Sequence, residues 1–194
     1  MLAKNEYNDS YLKRLAPEFY RGQAYVHWSL TIGGRKAGWL KPIMLYKFCE
    51  LLTHTMFRYG VCCPIFVLMP DHFHMMWIGI LEKSDQRPAM KHFRTRLNET
   101  LAVLDHKLQA QPYENVLKED ERQEDAFHDI CNYIARNPER AGLVEIDKYA
   151  DYKYSGCIVP GFPEMKPFNS DFWPRFWRAY SYLNKNGLMR MFEE

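Results

Sequence analysis

His72 and His74 flank Phe73 within FVLMPDHFHMMWIGI, residues 66–80. Two apolar runs, 66–69 and 75–78, meet through Pro70-Asp71. Runs this apolar and β-favouring read as two central strands joined by a tight turn. Side chains alternate faces along a strand, so His72 and His74 point one way and Phe73 the other. Two imidazoles side by side on a rigid strand can chelate one divalent metal. The spacing fits equally well two polar residues at the start of a strand. Asp71 either caps the turn or orients a histidine from behind.

A second chemical pair lies further on. Residues 126–136 read as a helix, with Phe127, Ile130, Cys131 and Ile134 in one narrow arc. Tyr133 and Asn137 are four apart and stack on one face at the border of that stripe. From geometry alone Tyr133 is as well explained as a half-buried aromatic. Pro138 disfavours helix at the residue before it. Asn137 therefore reads as the N-cap of a short helix, 138–141, stopped by Gly142.

The elements that must carry these residues are legible in order. Residues 1–22 are polar and irregular and read as an arm. Residues 24–32 alternate and are rich in β-formers, a first strand ended by Gly33-Gly34. His27 within it reads as a structural histidine, with a contact to the site or to DNA as the alternative. Leu45, Phe48, Leu52 and Met56 give a helix over 42–59, with Gly60 as its stop. After the two strands, Met90, Phe93, Leu97, Leu101, Leu104 and Leu108 give a second helix over 88–108. Residues 113–117 form a fourth strand, and an acidic loop, 119–125, faces solvent. Strand, helix, strand, strand, helix, strand is the ferredoxin-like split βαβ order. The fold class is therefore α+β: an antiparallel sheet of four to five strands, helices packed on one face, and a C-terminal helical tail.

Composition narrows the function classes. The 194 residues are 47% hydrophobic and 15% aromatic, which excludes a disordered chain. A net charge of +2 leaves any nucleic-acid surface to be local. The five cysteines are odd in number, with no C-x-x-C spacing. They read as reduced thiols of a cytoplasmic protein. No signal peptide and no membrane span is expected. Lys91, Arg94 and Arg96 form one candidate phosphate-binding group. Arg175 and Arg178, interleaved with aromatics in 172–182, form another. A docked C-terminal helix explains that second stretch as well.

The segment LMPDHFHMM, 68–76, followed by YIARNPERAGLV, 133–144, resembles the single-tyrosine HUH transposases, in particular their REP-associated branch. Asp151-Tyr152-Lys153-Tyr154-Ser155 resembles an aromatic-serine segment of the same branch, and the likeness covers roughly 25–156. It implies an HUH-type domain over 23–156, between the arm and an aromatic, basic tail over 157–194. It implies His72, His74 and Asn137 as ligands of Mg²⁺ or Mn²⁺ and Tyr133 as nucleophile. The implied activity is cleavage and rejoining of single-stranded or hairpin DNA through a 5′-phosphotyrosine, in a nucleoid-associated monomer or homodimer. The alternatives are a non-catalytic nucleic-acid-binding regulator on the same fold and an unrelated metal hydrolase.

Overall fold

The computed structural model describes residues 14–122 and 124–188. Its elements are β1 (Tyr25–Thr31), α1 (Pro42–Tyr59), β2 (Val61–Leu68), β3 (His72–Gly79), α2 (Gln86–Ala102) and β4 (Tyr113–Val116). They continue with α3 (Glu124–Ala135), α4 (Asn137–Arg140), β5 (Ser155–Ile158) and α5 (Phe172–Asn186). The strands form one sheet in the order β4-β1-β3-β2-β5, with every neighbouring pair antiparallel. The first four strands keep the ferredoxin-like order, and the Tyr154-Ser155 stretch adds the fifth at the β2 edge.

All eight residues of β2 are buried, as are all of β3 but His72. That is why both strands read as nearly continuous apolar runs rather than alternating ones. One face carries Phe66, Leu68, Phe73, Met75 and Trp77 against α1 and α2. Phe48 of α1 and Phe93 of α2 meet Phe73 edge-to-face, and Phe93 also meets Trp77. Burying each such ring stabilises the fold by roughly 1.5–3 kcal/mol. α1 starts with Pro42 at its first turn and ends where Gly60 turns left-handed (φ 63°) and donates to the Met56 carbonyl.

Three expectations change. The helices occupy both faces of the sheet, because α3 and α5 bury Phe127, Cys131, Phe172 and Phe176 against Val67, Met76 and Ile78 on the second face. The second helix runs 86–102 rather than 88–108. Asp85 caps it by accepting from the Arg87 backbone, and the chain turns left-handed at Asp105 (φ 55°) before Leu108 bridges to Ile32. The arm expected over 1–22 lies outside the described residues as far as 13. From there it packs: Tyr20 is fully buried, stacks on Trp28 and donates to Glu114. Among the described residues no helix is long and apolar enough to cross a membrane.

Candidate functional site

The turn between β2 and β3 brings the histidines to one end of the sheet. Alternation puts His72 and His74 on the second face, with ring centroids 5.0 Å apart. Ser29 and His74 are cross-strand partners, and His27 of β1 lies diagonally opposite. The His27 Nε2 lies 3.1 Å from His74 Nδ1. Asp71 accepts from His72 Nδ1 at 2.6 Å and from Arg35 at 2.8 Å. The carboxylate thus orients a histidine, the second of the two roles open to it. Burial pushes the Asp71 carboxyl up. The hydrogen bonds and charges of His72 and Arg35 outweigh that and hold it below the ordinary carboxylate range.

These contacts decide which ring atoms can bind anything else. His72 Nδ1–H points at Asp71, leaving its Nε2 lone pair. If His74 Nδ1–H donates to His27, its Nε2 lone pair is likewise left, and a cation at that atom selects this tautomer. Burial drives the pKa of His27 down to about 4. Burial, with the charges of His27, His72 and Arg140, drives that of His74 down to about 3. Both rings are neutral near pH 7, the form that ligates metal.

Tyr133, in the last turn of α3, stands above this cluster. Its ring centroid is 6.2 Å from that of His27 and 6.3 Å from that of His74, and the residue is 49% exposed. The phenol is therefore open to solvent and faces the same imidazoles. The Arg140 guanidinium carbon sits 3.9 Å from the centroid of the Tyr133 ring, and the same side chain donates to the Tyr133 backbone carbonyl. Sequence reasoning overlooked Arg140. The signal was a spacing of seven residues, two helical turns, hidden by the helix break at Arg136.

Asn137 is buried and is the first residue of α4, with Arg136 rather than Asn137 as the cap. Its Nδ2 donates to the carbonyls of Tyr133 and Ile134 at 3.0 and 3.2 Å. Those orphan carbonyls at the end of α3 need donors, so the amide closes one helix instead of capping the next. Among the described residues no donor reaches its Oδ1. Two imidazole nitrogens, from His72 and His74, and an amide oxygen are a chemically suitable donor set for a divalent cation with water and phosphate in the remaining positions. Among the described residues no group of three His, Cys, Asp or Glu side chains converges to form a protein-only cage.

The basic candidates sit elsewhere. Arg94 donates to the carbonyls of Gln109 and Ala110, Arg96 pairs with Glu99, and Lys91 is exposed on α2, across the sheet from the histidines. Arg175 pairs with Glu164 and Asp171, and Arg178 donates to Pro174. These two line a groove with Phe162, Met165 and Tyr182. The aromatic-serine segment holds the site from behind: the Tyr152 hydroxyl donates to Leu68, and Leu68 donates to Tyr154 at the end of β2.

Among the solved structures that the chain matches is a REP-associated tyrosine transposase bound to a REP hairpin, with TM-score 0.61. The two share a fold. Sequence identity is 16%, and the alignment covers 75% of this chain and 81% of the transposase. No family model and no curated protein sequence matches. The tyrosine-transposase fold accounts for the five-stranded antiparallel sheet and the helices packed on it.

Proposed function

We propose that this protein is a metal-dependent DNA strand-transfer nuclease that cleaves and rejoins single-stranded or hairpin DNA through Tyr133. The observation that carries this reading is the half-exposed phenol standing over His27 and His74, beside His72, in an arrangement that leaves the Nε2 atoms of His72 and His74 for a cation. The fold shared with a transposase that binds a REP hairpin supports the choice of DNA.

His72 Nε2, His74 Nε2 and Asn137 Oδ1 would hold Mg²⁺ or Mn²⁺, which would supply Lewis-acid polarisation of the scissile phosphate. Tyr133 attacks phosphorus in line. The new bond joins the phenolic oxygen to phosphorus, the bond from phosphorus to the 3′ oxygen breaks, the phenol proton passes to solvent, and the departing oxygen takes up a proton. The product is a 5′-phosphotyrosine with a free 3′-OH, and the reverse attack rejoins the strand without ATP. Arg140 holds a positive charge against the reacting phenol and the phosphate as negative charge accumulates. Asp71 and His27 keep the two ligand rings in the tautomer that exposes Nε2. Arg175, Arg178 and Tyr182 offer charge and an exposed ring to flanking DNA.

The test is a labelled hairpin with a single-stranded tail, incubated with Mg²⁺ or Mn²⁺ and run on a denaturing gel with and without protease. A protein-linked 5′ end is expected, absent in Tyr133→Phe and lost with the metal dependence in His72→Ala. Hairpin binding without any adduct supports the non-catalytic regulator instead. Hydrolysis to free ends that survives Tyr133→Phe supports a metal hydrolase.

A further inference from the structure

α2 carries a basic ridge far from the histidines. Arg87, Lys91 and Arg94 follow each other at four- and three-residue spacing, so they lie along one side of the helix. Facing them across an open groove of about 670 Å³ are Arg14 and Arg21, from the segment that precedes β1. Asp85 is the only carboxylate in the lining, and Arg21 engages it at 3.1 Å. Arg14 pairs at 3.5 Å with Glu114, which lies outside the lining. Among the described residues no carboxylate comes within ion-pair range of Arg87, Lys91 or Arg94. Arg87 is held over the Tyr20 ring at 5.8 Å, and Arg94 is braced on the two carbonyls named above.

Five cations around one groove stand out in a chain whose net charge is +2. Like charges at this helical spacing repel, and two of the three guanidinium or ammonium groups on the ridge are fixed by neighbours rather than free to turn apart. Such a surface complements a regularly spaced polyanion. No aromatic ring lines the groove, so it lacks the stacking platform with which single-stranded bases are held. What remains is recognition of a phosphate backbone.

The groove is separate from the Tyr133 site. Arg21 bridges Asp85 beside the Gly79 end of β3, whereas His72 begins that strand. The two ends are about 23 Å apart at ~3.3 Å per residue. α2 also lies on the opposite face of the sheet.

We propose that the groove between α2 and the 14–21 segment is a second nucleic-acid site, which takes the backbone of a duplex segment. The choice of nucleic acid as the polyanion rests on the function proposed above; the groove itself does not depend on the chemistry at Tyr133.

The test uses the Tyr133→Phe protein, so that binding is read without chemistry. Its probe is a fluorescent blunt-ended hairpin with no single-stranded tail, titrated across a range of KCl. Arg87→Glu with Lys91→Glu should weaken binding at least tenfold. It should also lower the slope of log affinity against log salt by about 1.8, two phosphate contacts at ~0.9 each. Lys91→Gln alone should lose about half of that slope change, which guards against a folding defect in the double variant. Lys36→Glu with Lys47→Glu makes the same change in net charge on surfaces where each residue already pairs with a carboxylate, and should leave the slope as it was. An unchanged slope in the groove variant overturns the proposal, as does an equal loss in the control pair. An oligothymidine that loses as much affinity as the hairpin overturns the assignment to duplex. If the wild-type protein forms no adduct but the groove variant still loses slope, the groove stands and the strand-transfer reading falls.

Discussion

Arg140 and Tyr133 form a cation–π pair, with the guanidinium carbon 3.9 Å from the phenol centroid. The contact joins α3 to α4 across the break at Arg136. A cation so close steadies the ring and offsets charge that develops on its oxygen and on a bound phosphate. Arg140→Gln is expected to slow adduct formation at saturating DNA by about 10–100-fold, in line with a loss of roughly 1.4–2.7 kcal/mol. Arg140→Lys should recover part of the rate, since it keeps the charge but not the planar fork. A single-turnover adduct assay decides it: a wild-type rate in Arg140→Gln removes the residue from the mechanism.

His27 acts one bond away from the proposed cation. With its Nε2 facing His74 Nδ1 at 3.1 Å, it is the partner that accepts from His74 in the tautomer a cation at Nε2 requires. Loss of such a partner typically lowers metal affinity by about 10–100-fold. His27→Ala should show that loss in a Mn²⁺ titration followed by calorimetry, and His27→Gln, which keeps an acceptor, should show less. Equal Mn²⁺ affinity in wild type and His27→Ala contradicts this role.

Gln86 is a structural prediction of a different kind. It is fully buried, accepts from the Trp28 indole at 3.1 Å and donates to Ala24 at 2.7 Å. Gln86→Leu keeps the bulk but strands a buried N–H and a buried carbonyl, at about 1–3 kcal/mol each. Urea unfolding should show a loss of about 2–6 kcal/mol, against a fall of less than 1 kcal/mol if water can enter and replace the amide.

The thiols should be inert in the folded protein. Burial pushes Cys49 up to about 11 and Cys157 to about 12, and drives Cys62, Cys63 and Cys131 higher still. A thiol reacts as the thiolate, so at pH 8 the reactive fraction at Cys49 is on the order of 0.1%. Alkylation by iodoacetamide, read by mass spectrometry, should be slow in buffer and reach all five sites in denaturant. Rapid labelling of any one site in the native protein contradicts the burial.

Local pattern determined much of this protein. Periodicity placed α1 over 42–59 to the residue, because a proline at its start and a glycine at its end punctuate a strong apolar stripe. Strand alternation alone put His72 and His74 on one face, and the four-residue step put Tyr133 above Asn137. Tertiary structure decided the rest. Whether the tyrosine helix covers the histidines depends on which sheet face α3 chooses, and that follows from Phe127 and Cys131 packing with α5, residues distant in sequence. His27 joins the site only through the β1–β3 register, which no local signal carries. Arg140 reaches Tyr133 across a helix break, and Arg14 and Arg21 face α2 only once Tyr20 is buried. Periodicity reports the face a side chain takes on its own element; what that face meets is set by long-range packing, and the chemistry proposed here lies in those meetings.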